Sequence, residues 1–243
     1  MTQDAEQIGR SSPAQAEPIS TQSKRRAAIE MAVAYLLILS VVWTPRPAQR
    51  FLWIVAAAGI AIIVWRSFEG WKPMGFTTAN FGRALWIPGA ALAVTAIAVV
   101  VAARQHTLRL PLGGPLAFIA TYIAYAIWTA VQQFLLQSFF LLRFLRVLPS
   151  RRMAVLGAAA IFAAAHLPNP VLTLATLIWG IAACLLFLRY RNIYPLMLAH
   201  AVLGITVAIT VPGPVVHNMR VGLGYLMYRP HEHRFPVHGK GLD

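Results

Sequence analysis

Carboxylates are what this sequence most conspicuously lacks. Only 7 of its 243 residues are Asp or Glu, against 21 Lys and Arg, for a net charge of +14. Asp4, Glu6, Glu17, Glu30 and Glu69 fall in the first third, and Glu232 and Asp243 lie in the C-terminal tail. From Gly70 to His231 there is no acid at all. Chemistry in that stretch has no Asp or Glu to serve as base, nucleophile or metal ligand. Cysteine is equally scarce: Cys184 is the single one, inside an apolar run. That excludes an intramolecular disulfide framework and any zinc site built on several cysteines, and leaves Cys184 as a small buried apolar residue. Charge of either sign is low, 12% of residues against about 25% in soluble domains, while 58% are hydrophobic. With a mean hydropathy of +0.64, the chain has too little polar surface to cover itself in water and reads as an integral membrane protein. A pI near 11.2 would suit a nucleic-acid binder, whose Lys and Arg neutralise phosphates. Here the bases sit singly or in small clusters between apolar runs, as loop anchors do, so the expected partner is the lipid bilayer and not nucleic acid.

The chain divides into a polar tail, a hydrophobic domain and a basic C-terminal tail. Residues 1–26 are rich in Ser, Gln, Glu, Ala and Pro and end in Lys24, Arg25 and Arg26. Their apolar run follows the basic cluster too late for a cleavable signal peptide, and they are expected to be a disordered cytoplasmic tail. A spanning helix needs about 20 predominantly apolar residues. Seven runs approach this: 27–43, 51–65, 84–103, 115–146, 152–167, 171–189 and 192–211. The expected fold is therefore all-α, a polytopic transmembrane bundle of about seven helices, six to eight, over 27–211. Basic residues counted over alternate loops place the larger share on the N-terminal side, so the N-terminus is expected in the cytoplasm. Residues 66–83, with Trp71, Phe76 and Phe81 among charges, read as an interfacial connector. Residues 212–243 form a basic, His-containing tail. Its 212–228 portion would be a poor eighth span because Arg220 lies in its middle. His231, Glu232, His233 and His238 offer a weak metal site or a solvated tail.

Polar side chains inside apolar runs are costly in a bilayer and face other helices or a cavity. The fourth run carries Thr121, Tyr122, Tyr125, Thr129, Gln132, Gln133 and Gln137. At about 100° per residue these fall within one arc of an α-helix, expected to point inward. The fifth run ends in Phe162, three alanines, His166, Leu167, Pro168, Asn169 and Pro170, so His166 sits where the prolines stop the helix. The seventh run buries His200, roughly 12 Å from its start at about 1.5 Å per residue. Taken singly, each polar residue reads as a hydrogen-bonding strut between helices, worth about 0.6 kcal/mol. Taken together, the glutamines and histidines read as a shared cavity.

That spacing resembles the CPBP family, the CAAX-protease and bacteriocin-processing membrane proteins also called Abi, over about 66–205. The family pattern is Glu-Glu-x-x-x-Arg, then Phe-x-x-x-His, then His-x-x-x-Asn or Asp. Phe162 and His166 match the second motif, with Asn169 in its usual continuation, and His200 stands in the third. The first motif is replaced by Gln132, Gln133 and Gln137, and Gly204 stands where Asn or Asp is expected. The resemblance implies an intramembrane endopeptidase of the bacterial inner membrane acting on hydrophobic or prenylated peptides. Gln132, Gln133, His166 and His200 would hold the catalytic positions, with Thr129, Gln137, Phe162, Asn169 and Gly204 around them. A neutral amide cannot take the proton a general base must accept, so the expectation is a silenced protease. The joint loss of two Glu and one Arg keeps the site neutral, avoiding an unpaired charge in the bilayer. No cofactor is expected. Zinc on His166 and His200 is the alternative, though catalytic zinc generally takes three protein ligands. A non-enzymatic immunity or chaperone-like binder of a peptide or lipid, and a small transporter, remain as alternatives in other classes.

Overall fold

A computed structural model describes residues 20–109 and 114–229, and every regular element among them is helical. The first helix, α1 (Thr21–Val42), starts at Ser20, whose hydroxyl accepts from the Ser23 amide at 3.2 Å. This N-cap satisfies an otherwise unpaired helical donor and draws Lys24, Arg25 and Arg26 into the helix, where the sequence suggests a disordered tail. Residues 1–19 and the tail histidines at 231, 233 and 238 lie outside the described residues. After α2 (Arg46–Arg66) and the short α3 (Phe81–Ala84) comes α4 (Trp86–Arg104). The fourth apolar run is one continuous rod: α5 (Gly114–Gln133), a π-helical segment (Phe134–Leu141) and α6 (Leu142–Val147). Ser150 caps α7 (Arg151–Ala164) and Asn169 caps α8 (Pro170–Tyr190), which is followed by α9 (Tyr194–Thr210).

Each of the seven expected apolar runs is thus largely helical, and the molecule is a polytopic helical bundle. Among the described residues, Arg46–Arg66, Phe81–Arg104, Ile119–Val147 and Pro170–Tyr190 are long and apolar enough to cross a bilayer. The fifth run is shorter than a span: the 14 residues of α7 extend about 21 Å against a hydrocarbon core of about 30 Å. Outward-facing apolar side chains mark the lipid-facing surface, among them Leu116, 80% exposed, and Trp65, 79% exposed.

The would-be eighth span is broken into α10 (Gly213–Val216), a 3-10 turn (His217–Met219) and α11 (Gly222–Leu226). Left-handed backbone at His217, Asn218, Met219 and Gly222 interrupts it, and no hydrogen-bonded rod can run through such residues. Asn169 anchors this segment by donating to the carbonyls of Val216 at 2.8 Å and Arg220 at 3.0 Å.

Small residues let the central helices approach closely. Ala154, Ala158 and Ala159 of α7 are fully buried, and a Cβ on Gly180 of α8 would come within 3.2 Å of Ala159. The connector 66–83 tucks under this core. Ser138 donates to Met74 O at 2.6 Å, the Ile193 amide donates to Gly75 O at 3.0 Å, and Asn192 donates to Thr77 O at 2.7 Å. Those bonds lock the π-segment and the start of α9 against one loop. On the other side, Met31 and Ala34 of α1 pack against Phe139 and Phe140.

Candidate functional site

A cavity of about 550 Å³ runs through the bundle, within the range of about 300–1,000 Å³ of small-molecule sites. Its walls come from α1, α4, α5, the π-helical segment, α7, α8 and α9, with Val211, Met219 and Val221 from the segment after α9. Most of the lining is apolar, and among the described residues it includes no Asp, Glu, Lys or Arg. Gln132, Phe162, His166, His200 and Gly204 all line it. Residues of all three motifs are therefore brought to one space, although 34 sequence positions separate the two histidines.

Each histidine is held by its Nδ1. His166 lies just beyond the end of α7, and its Nδ1 is 2.8 Å from Phe162 O. A carbonyl only accepts, so His166 carries its proton on Nδ1 and keeps a lone pair on Nε2. His200 Nδ1 lies 2.8 Å from Gln133 Nε2, a fully buried contact between α9 and α5. With the carboxamide in this orientation its NH2 donates, and the His200 proton sits on Nε2. Phe162 packs edge-on against both imidazoles, with ring centroids 5.1 Å from His166 and 5.9 Å from His200, and Trp179 lies 6.0 Å from His200.

The glutamines do not share one face. Gln132 lines the cavity, Gln133 is fully buried behind it against His200, and Gln137 is fully buried away from the lining. Gln133 Oε1 and both amide atoms of Gln137 have no hydrogen-bond partner. Gln132 and Gln133, both in α5, diverge because adjacent helical residues point about 100° apart, and Gln137 leaves the expected arc because the rod becomes a π-helix at Phe134. Its i→i+5 bonding rotates every later side chain relative to an α-helix. Two other expected members are structural. Thr129 is buried and donates to Ala126 O at 2.9 Å, and Asn169 caps α8 by accepting from the Leu172 amide at 3.1 Å.

The carboxylates are elsewhere. Glu30 and Glu69 are the two acids among the described residues, and neither lines the cavity. Glu30 accepts from Arg143 Nε at 3.0 Å and Nη2 at 2.9 Å, and from Arg26 at 2.8 Å. Glu69 pairs with Arg146. Among the described residues, no three His, Cys, Asp or Glu side chains are grouped so as to hold a metal ion. Two imidazoles share the cavity, but the His200 Nδ1 lone pair is engaged by Gln133 and, among the described residues, no third ligand joins them, so the residues present do not fit a zinc site.

Tyr125 and Trp179 are among the wall residues that the sequence-based site does not include. Tyr125 belongs to the polar stripe on α5, so its periodicity was a usable signal. Trp179, whose indole nitrogen is buried without a partner, is one aromatic in an apolar run and carries no comparable signal.

Fold and site together define an integral membrane helical bundle enclosing a neutral, His- and Gln-bearing cavity. Residues 115–206 match the family model described as Type II CAAX prenyl endopeptidase Rce1-like. That stretch contains every motif position from Gln132 to Gly204, and the CPBP resemblance is borne out over it. No curated protein and no solved structure matches the chain.

Proposed function

We propose that this protein is a CPBP-type membrane scaffold that binds a hydrophobic chain in its intramembrane cavity and has lost glutamate-dependent proteolysis. One observation carries the reading: amides stand at the family's glutamate positions, while Glu30 and Glu69 are engaged by arginines outside the cavity. A general base contributes about 10²–10⁴-fold in rate, and a carboxamide supplies none of it. His166 retains a free Nε2 lone pair, but no carboxylate orients a water toward it. The apolar lining suits a hydrophobic or prenylated peptide or a lipid, and the basic loops set the N-terminus in the cytoplasm of a bacterial cell.

The test is a cleavage assay with purified full-length protein and prenylated or hydrophobic peptides. The expected result is saturable binding without hydrolysis above background. Robust turnover abolished by Gln132→Ala would overturn the proposal. The double variant Gln132→Glu with Gln137→Arg separates two histories. Gained proteolysis identifies a silenced protease, and lost ligand binding without proteolysis identifies a dedicated binder.

A further inference from the structure

We infer that Tyr125 is a ligand-binding hydrogen-bond donor of this cavity and that the cavity takes a neutral, single-chain amphiphile whose head group carries a carbonyl. The inference rests on the binding reading above and specifies the ligand. It starts from the hydroxyl groups of the wall. Five line the cavity, those of Tyr35, Tyr125, Thr176, Thr206 and Thr210. Four already donate within the protein: Tyr35 to Ile161 O, Thr176 to Leu172 O, Thr206 to Val202 O and Thr210 to Thr206 O. Tyr125 alone has no hydrogen-bond partner among the described residues. Tyr125 is half-buried in the cavity wall, so its donor is left for whatever fills the space.

Gly204 explains why the phenol fits. A Cβ at Gly204 would overlap the Tyr125 hydroxyl and lie 2.8 Å from its ring. Tyr125 thus occupies the volume that a side chain at 204 would fill, one helical turn along α9 from His200. The missing side chain on α9 and the hydroxyl on α5 are two halves of one exchange, and the polar character of that wall is supplied from the opposite helix.

The chemistry of the ligand follows from what surrounds this hydroxyl. Among the described residues no charged side chain lines the cavity, so an ionised head group would be buried without a counter-ion at high cost. Tyr125 O–H, Trp179 Nε1–H and His200 Nε2–H donate, His166 Nε2 accepts, and Gln132 does both. An ester or amide carbonyl answers the donors, and a hydroxyl beside it answers the acceptor. Counting each heavy atom at the roughly 30 Å³ that a water molecule takes in the liquid, a cavity of about 550 Å³ holds about 18 of them. That is one chain with a small head and not two chains.

The experiment measures equilibrium binding of labelled 1-monolauroylglycerol, of laurate and of hexadecane to the full chain in detergent. Wild type is expected to bind the monoglyceride saturably and more tightly than laurate. Tyr125→Phe should weaken the monoglyceride about 2- to 12-fold, one neutral hydrogen bond, and leave hexadecane unchanged. Gly204→Asn alone should lose binding by displacing Tyr125, and Tyr125→Leu with Gly204→Asn should recover part of it through the new amide. Equal effects of Tyr125→Phe on monoglyceride and hexadecane, or none on either, would overturn the inference and leave the binding reading standing. No saturable binding of any probe by folded wild type would overturn both.

Discussion

Replacing Glu30 by Leu removes the acceptor that holds α1 to the rod carrying Gln132 and Gln133. Arg143 is almost fully buried, and it donates twice to Glu30, at 2.9 and 3.0 Å, across 113 positions of sequence. At about 3 Å and an effective dielectric of about 20, the attraction is about 5–6 kcal/mol. Desolvation of the two ions returns most of it, so the intact pair is worth little net. Breaking one side is different, because it strands a buried guanidinium at a cost of about 3–5 kcal/mol. Arg143 keeps Phe139 O at 3.1 Å and sits 3.6 Å over the Phe139 ring, which puts the expected loss at about 3 kcal/mol. Arg26 contributes at most about 1 kcal/mol because its side chain is 61% exposed. The double variant Glu30→Leu with Arg143→Met should lie within about 1 kcal/mol of wild type, since no charge is stranded. Denaturation of the four members of this cycle in detergent measures the coupling. Because α1 contributes Tyr35, Ile38 and Val42 to the cavity wall, Glu30→Leu should also weaken ligand binding. A loss under about 1 kcal/mol for Glu30→Leu, or a double variant as unstable as the sum of the singles, would refute the reasoning.

Two further perturbations probe the site and its frame. Gln133→Leu leaves His200 Nδ1 buried without a partner and should destabilise by about 1–3 kcal/mol, and an unchanged thermal midpoint would refute the strut. Asn169→Ala removes the α8 cap and both bonds to the C-terminal segment, a loss of about 2–3 kcal/mol. Limited proteolysis should then cut faster within 212–229, and wild-type resistance there would count against Asn169 as the anchor.

The helices were legible because hydropathy and caps are local: Pro168 and Pro170 stop one run, Asn169 starts the next, and the chain obeys both. The pairing of Phe162 with His166 was legible for the same reason, being one turn apart. Legibility ended where geometry depends on a distant partner. Gln137 was grouped with Gln132 because a uniform helical period was assumed, and the π-segment that separates them has no marker in the run Phe134–Leu141. Ser20 extended α1 past the expected boundary because a single hydroxyl cap outweighs the polarity of the next turn.

By itself the sequence determined that this is a membrane helical protein whose central stretch has no acid, since both facts are sums over residues that no folding can alter. It also determined that Gln132, Gln133 and Gln137 carry no ionisable group, because an amide stays an amide in any fold. Tertiary structure alone decided where the remaining acids went, engaging Glu30 and Glu69 with arginines on the α6 end of the rod. It alone decided that Gln133 holds His200 and that Tyr125 fills the place vacated at Gly204. Those are contacts between elements 67 and 79 positions apart, set by how helices cross and by one change of helical pitch, and neither is written in any local run of residues.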